Sequence, residues 1–382
     1  MQLKNLTKLS LITTLALSSL YAEDYVSVEF LQYNENDNRV AVSAPTLSLS
    51  YDIGTDFNIQ ANFVNDTVSG GTPVWQSDTS SGASGQVNNS SDYVYKNQNF
   101  TENRNAGSII LTRRFKNRDE LHLGTDFSSE SDYQSNSFSA EYMHYTDSSH
   151  NRSINAGISG TFNEIIARPI GATIVVNDDG GSGASQEQTS NSVNLQLGIN
   201  QILNANSSIK LDAFAIFDAG YLTNPHGAVV RNYGTNSQKL VTENRPSKRT
   251  AYGIALKHIK MLGSNISLAS NYRYYSDDWN INSHTIEENL YYQWNKNLIL
   301  GGGVRYYTQT ASSFYNGEKN YFTNETYASS DERLSQFNAL TYKANIDYKI
   351  KKDISYNLGA EFYSQSTGLK ATIITTGVKY HF

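Results

Sequence analysis

Few side chains in this sequence are arranged for covalent or acid–base chemistry. Cysteine is absent and there are seven histidines, none in a Ser/His/Asp order or a His-metal spacing. His258, His284 and His381 fall near the ends of alternating runs, where interfacial or turn positions account for them. Asp178 and Asp179 precede glycines but lack the ligand spacing of a calcium loop. No catalytic residue, cofactor or metal is expected, and the chain is read as a non-enzyme. What does recur is Arg-Tyr-Tyr, as RYYSDDW over Arg273–Trp279 and as RYYTQ from Arg305 to Gln309. Guanidinium groups repeated in this way pair with carboxylates in a wall, or select charge in a pore.

The elements that would position them are strands. Period-two alternation runs through the chain. In SVNLQLGI (192–199), Val193, Leu195, Leu197 and Ile199 share a face. In NISLASNYRYY, Ile266, Leu268, Tyr272 and Tyr274 lie on one face and Ser267, Asn271, Arg273 and Tyr275 on the other. About sixteen such runs can be counted, within a range of about 14–18, and an even number of strands of about ten residues is what a single-chain membrane barrel needs. They begin near Tyr25, Arg39, Phe57, Ala106, Leu121, Gln134, Ser153, Asn191, Ser207, Arg249, Asn265, Asn280, Leu298, Leu334, Ile354 and Leu369.

Composition agrees. Tyrosine is abundant at 27 residues, mean hydropathy is −0.50, and Pro is rare at 5, which suits strands that alternate polar with apolar. Residues 1–22 read as a cleaved signal peptide: Lys4 and Lys8, the apolar run Leu11–Leu20, then Ala22. Removing those two lysines takes the formal charge from −6 to −8, which argues against a nucleic-acid partner. Residues 23–382 form one domain, an all-β, transmembrane, antiparallel up-and-down barrel whose first partner is outer-membrane lipid. The long connections Asn65–Asn105, Ile166–Gln188, Asn224–Lys248 and Ser313–Arg333 all fall on one side, the extracellular one, and short turns fall on the periplasmic side. SGGTPVWQSDTSSGASGQVNNSS (69–91) and NDDGGSGASQEQTSNS (177–192) read as loop tips. Pro45 interrupts the second run and suggests an edge, a bulge or a plug-like start.

In this frame Arg273, Glu287 and Arg305 face the lumen at nearly one height, continued by Lys343 and Glu361. They form either a wall-stabilising ladder or a pore-constricting girdle, and the two are not exclusive. The lumen-facing charges tip slightly acidic, which favours cations. Glu288 falls on the lipid face unless a bulge moves it. Tyr275, Asp277, Asp278, Tyr307, Asp331 and Arg333 collect at the outer rim. Their strand ends and loop bases either pack together over the lumen or simply make turns.

DTVSGGTP (66–73), YLTNP (221–225), RYYSDDW, SHT (283–285), RYYTQTASSFY (305–315) and SSDERLS (329–335) resemble the domain-of-unknown-function family 3570, a group of bacterial outer-membrane β-barrels. The resemblance covers nearly all of the mature chain. It departs at Gly71, where the family usually has Ala. It implies location and fold, not an activity. The last residues, TTGVKYHF, place Val378, Tyr380 and Phe382 on one face. That is similar to the terminal strand by which outer-membrane barrels are recognised, so the barrel-assembly machinery is the second expected partner. A porin-like channel for small hydrophilic solutes or ions is the leading functional expectation, and a non-conducting barrel with partner-binding loops is the alternative. The oligomeric state is open, with a homo-trimer as one option.

Overall fold

The computed structural model describes residues 24–77, 93–167, 185–317 and 322–382. The signal segment 1–22, Asp178 and Asp179, and parts of both Gly/Ser/Asn-rich connections lie outside the described residues. Sixteen antiparallel strands close into one barrel. They are β1 (Tyr25–Glu35), β2 (Val40–Ile53), β3 (Phe57–Ser77), β4 (Tyr93–Arg114), β5 (Glu120–Ser129), β6 (Tyr133–Tyr145), β7 (Arg152–Ala167), β8 (Gln186–Asn204), β9 (Ser207–Gly220), β12 (Lys248–Met261), β13 (Ile266–Asp277), β14 (Asn282–Asn295), β15 (Leu298–Gln309), β16 (Phe337–Lys349), β17 (Ile354–Gln365) and β18 (Lys370–His381). A ribbon of β10 (Ala228–Arg231) and β11 (Lys239–Thr242) sits between β9 and β12 and is not part of the wall. The ring closes by pairing β1 with β18, from Tyr25↔His381 to Glu35↔Ala371. Within the closed ring no strand edge is left to be satisfied by water, which the hydrocarbon layer does not contain.

The side chains invert a soluble core. Phe30, Leu49, Phe63, Ile109, Leu197, Val304, Phe362 and Val378 point outward and are exposed, while Ser27, Asn58, Ser108, Asn155 and Thr341 point inward and are buried. The longest connections, 78–92, 168–185, 221–247 and 310–336, all leave one rim, hereafter the long-loop rim. At the opposite rim the links are as short as 205–206 and 296–297.

Several strand limits differ from the sequence pattern. β3 and β4 continue past the expected stops to Ser77 and Tyr93, so most of the connection Asn65–Asn105 is paired hairpin. The hairpin carries polar groups on its outward face too, as in the side-chain bonds Asn65–Asn105 at 2.8 Å and Thr67–Asn103 at 2.9 Å, so no hydrophobic alternation marks it. β8 starts at Gln186 rather than Asn191 for the same reason. The start expected at Leu334 is instead a single 3₁₀ turn, Glu332–Leu334, and the strand begins at Phe337, because Leu334 is pulled under Trp279, Ile281 and Phe314. Pro45 makes neither an edge nor a bulge. Ser43↔Thr67 and Thr46↔Val64 keep one register across it, and only the ladder bonds at 44–45 are missing, as a residue without an N–H requires. The start of the chain does contribute an apolar patch inside the long-loop rim, where Tyr33, Val40, Val42, Val68 and Ala371 pack together.

Glu288 stays on the lipid face with no bulge to rescue it. It pairs with Ser270 and Val304 in regular register, it is exposed, and its carboxylate accepts one bond from Ser270 Oγ at 2.7 Å. A carboxylate in a band of Leu268, Ile286, Leu290 and Val304 costs stability unless something covers it. Replacing it with leucine is expected to raise the urea midpoint of the barrel folded in lipid. An unchanged or lower midpoint would show that Glu288 is already compensated.

Candidate functional site

The site is the upper lumen wall and the loops across its mouth. Four inward tyrosines repeat one local device on strands that run towards the long-loop rim. Each donates its hydroxyl to an acceptor two residues further on: Tyr33 to Glu35, Tyr307 to Gln309 and Tyr363 to Gln365 at 2.7 Å, and Tyr275 to Asp277 at 2.8 Å. In a strand, residues i and i+2 share a face and stand close enough for this bond. The second tyrosine of each Arg-Tyr-Tyr therefore faces in as part of a ring of Tyr-x-acceptor pairs. The first, Tyr274 or Tyr306, faces lipid.

Asp277 is the most heavily used group at the rim. One carboxylate oxygen accepts from Arg249 Nε at 2.8 Å and from Tyr275 Oη at 2.8 Å, and the other from the amides of Trp279 at 3.0 Å and Ile281 at 2.9 Å. Asp278 caps the neighbouring strand by accepting from Thr250 N at 3.0 Å. Both acids thus make the turn, and through Trp279 the turn also packs. Trp279 is under Phe314 at 5.1 Å between rings, and its indole N–H donates to the Lys248 carbonyl.

The loops 221–247 and 310–336 knit into one cap. Backbone bridges join Asn244 to Ala328 and Arg231 to Phe322, and Val229, Phe322 and Ala328 form a dry centre. Arg245 pairs with Glu243 at 2.5 Å and with Asp331 at 2.8 Å, and Asp331 also pairs with Arg333. Glu243 accepts from Ser329 Oγ at 2.6 Å, and Gln309 donates to the carbonyls of Arg333 and Ser335. The ribbon β10–β11 touches β3. In the ring order five strands (β4–β8) separate β3 from β9, and eight (β13–β18, β1, β2) separate it from β12. The cap therefore crosses the mouth. Its margins are held by His226 against Asp132 at 2.7 Å and by Arg39 against Glu332 at 3.1 Å. Burial alone would push the Asp331 carboxyl up, but Arg333 and then Arg245 outweigh it and hold it well below the usual range.

Lower down, the expected ladder is sheared. Glu287 lies opposite Arg305, but Arg273 lies opposite Thr285, one inward position higher. Glu287 turns instead to Lys343 Nζ at 3.1 Å and Asn289 Nδ2 at 2.9 Å. The Lys343–Glu287 pair crosses β15 at Gly303, opposite both Asn289 and Lys343, where a side chain would strike Asn289. Glu361 stands opposite Lys343 in register but outside ion-pair distance. Arg273 lies over the Phe214 ring at 4.7 Å and Arg305 over the Tyr307 ring at 5.9 Å. The Arg–Glu–Arg contact is thus not formed. Five girdle residues share the lumen wall, and one ion pair joins two of them. The terminal strand keeps its predicted face, with Val378, Tyr380 and Phe382 exposed on the outside.

Glu243, Arg245, Arg249 and Gln309 carry as much of this site as the predicted residues do. The Tyr-x-acceptor spacing was a visible signal for Gln309. Nothing local marked Arg245, whose partners are 86 positions away in the case of Asp331.

The sequence matches, over residues 7–379, a family described as a protein of unknown function, DUF3570. The chain belongs to this family. No curated protein matches it. Among solved structures, the DUF3570 chain is similar to the ferric enterobactin receptor PfeA of Pseudomonas aeruginosa, with 10% identity and a TM-score of 0.45, covering 90% of this chain and 54% of the receptor. It thus spans about half that receptor's length. It is also similar to the CymD monoaromatic hydrocarbon channel, at 7% identity and a TM-score of 0.45 over 97% of this chain and 92% of that one. A third similar structure is OmpT of Vibrio cholerae lacking loop L8, at 10% identity and a TM-score of 0.44 over 94% and 98%. The DUF3570 motifs quoted earlier gather at the long-loop rim and in the cap.

Two outcomes are expected. Asp277→Ala leaves Arg249 without its partner in a buried setting and should cost on the order of 3 kcal/mol in chemical unfolding, whereas a surface ion pair would cost under about 1 kcal/mol. Asp331 has a folded pKa below its unfolded one, so its contribution is present above the unfolded value of about 3.9 and is lost as pH falls through the folded value. Hydrogen-exchange protection of 221–247 and 310–336 should therefore hold from pH 7 to about 4, and Asp331→Asn should lower it at every pH in that window. Loss of protection between pH 7 and 5 in the unsubstituted protein would contradict this.

Proposed function

We propose that this protein is an outer-membrane channel for small hydrophilic solutes or ions, with the two-loop cap as its gate. One observation carries the reading: the mid-wall ion pair of Lys343 and Glu287 keeps 26% and 22% of its side-chain surface exposed inside the ring. Charged groups that reach solvent in the middle of the lumen are what a water-filled path requires. The buried apolar clusters of the described residues are all confined to the long-loop rim and the cap. A barrel of about sixteen strands is at the size where an aqueous lumen begins. The cap then supplies the constriction and the wall supplies charge at close quarters. Outer-membrane lipid and the barrel-assembly machinery are the proposed partners. No nucleic-acid partner and no enzymatic activity are proposed, and a homo-trimer remains one option.

A second reading has one observation in its favour. A cavity of about 590 Å³ opens in the cap, lined by Trp279, Phe314, Tyr315, Phe322 and Tyr327 beside Asp278. Aromatic walls of that kind suit a bound partner or ligand as well as a gate.

Planar-bilayer recording of the purified, refolded protein separates the two. A channel gated by the cap should give small or infrequent steps, and Arg245→Ala, which cuts the tie between Glu243 and Asp331, should raise the conductance or the open fraction several-fold. A folded, heat-modifiable barrel that is silent in both forms would end the channel reading and leave the partner-binding one.

A further inference from the structure

Most strongly charged groups at the top of the lumen are spent on one another. Arg249 is held by Asp277, Arg245 by Glu243 and Asp331, Arg39 by Glu35 and Glu332, and Arg104 by Asp66. Arg273 and Arg305 are the exceptions. Among the described residues no carboxylate comes within ion-pair distance of either, although both point into the lumen below the tyrosine ring. The acid that stands in register with Arg305 is Glu287, and it is already engaged by Lys343 at 3.1 Å and Asn289 at 2.9 Å. Arg273 has Thr285 as its neighbour on one side and Ala255 on the other. The two stand on β13 and β15 with only β14 between them, Arg273 level with Thr285 and Arg305 level with Glu287, one inward position lower.

Two like charges on one stretch of wall, neither in an ion pair with a carboxylate of the described residues, cost free energy that an anion would relieve. Their mounting suits that task. Each guanidinium lies within cation–π distance of an aromatic ring, Phe214 at 4.7 Å for Arg273 and Tyr307 at 5.9 Å for Arg305, which restrains its position. A planar guanidinium offers its N–H groups as a fork that matches a carboxylate or phosphate. Neither residue is fully buried, so both remain partly open on the lumen side.

We propose that Arg273 and Arg305 form a binding subsite for the oxyanion group of a small solute, a carboxylate or a phosphate, just below the cap. This reverses locally the cation preference that a bare count of lumen charges suggests, because the acids of the count are not placed beside these two arginines. The proposal deepens the channel reading and uses it to say what passes, but anion binding itself does not require conduction. Lys343 acts at one remove. By occupying Glu287 it keeps that carboxylate away from Arg305, so it is a positioning residue for the subsite.

The test uses the full-length barrel in detergent, with benzoate as the carboxylate probe and inorganic phosphate as the second, followed by calorimetry, and planar-bilayer recording in parallel. Wild type should bind benzoate or phosphate, and Arg273→Gln/Arg305→Gln should weaken that binding at least tenfold. Lys343→Met, which leaves both arginines in place, should also weaken it by releasing Glu287 to pair with Arg305. Lys379→Gln, at a cation elsewhere on the wall, should leave it unchanged. Heat-modifiable mobility and near-UV spectra establish that each variant is folded. If the double variant does not fold, Lys343→Met against Lys379→Gln decides the matter. Wild type that binds neither probe, or equal binding in wild type and the folded double variant, overturns the subsite. Conduction without anion binding overturns the subsite and leaves the channel. Anion binding in a barrel that never conducts overturns the channel and leaves the subsite.

Discussion

The barrel depends on one requirement, that no backbone N–H or C=O be left unpaired within the membrane. The pairing of β1 with β18 meets it by joining Tyr25 to His381, near the two ends of the described chain. Everything else about the wall follows. Once the ladder is closed, side chains have only two directions, outward to lipid and inward to the lumen. Period-two alternation therefore becomes a statement about solvent on each side. A chain of low mean hydropathy can then cross a membrane sixteen times, because one face of each strand is meant to be wet.

That same requirement decides what the sequence reveals. Where one face meets lipid and the other meets water, as in 192–199 or 266–275, alternation is plain; the strand expected near Asn265 begins at Ile266. Where a strand rises above the membrane, as β3 and β4 do, both faces are wet and the signal vanishes although the hydrogen bonds continue. Pro45 was legible as a break but not as a harmless one, since the cost of one missing ladder bond depends on its neighbours holding register. The rim residues were legible by type. Asp277 and Asp331 stood out, but their partners Arg249 and Arg245 did not, because those contacts join segments distant in sequence. The girdle was read correctly by face and wrongly by height. A two-residue stagger, one inward position, between neighbouring strands is enough to separate Arg273 from Glu287, and Gly303 then lets Lys343 take the place expected of an arginine.

The upper lumen shows how a few local rules combine. Tyrosines on rising strands donate a hydroxyl hydrogen bond to the next inward residue of the same strand, which orients four side chains by a purely local rule. The fixed acceptors Asp277 and Gln309 then hold the turn and the cap above. The cap gains a dry centre of its own around Val229, Phe322 and Ala328. It is in effect a small second core, built from loops and mounted on a wall whose interior is polar.

The cap's ion pairs are not equal before salt. The one at its margin is partly open: Glu332 facing Arg39 keeps 33% of its side chain exposed. The pairs at its centre are shielded, with Glu243 at 1% and Arg245 at 10%. Dissolved ions weaken exposed pairs far more than enclosed ones, over a screening length of about 8 Å at physiological ionic strength. Concentrated brine therefore loosens the moorings before it loosens the lid. The two loops would stay tied to each other through Arg245 while their margins part from the rim, and the margins would settle back when the medium is dilute.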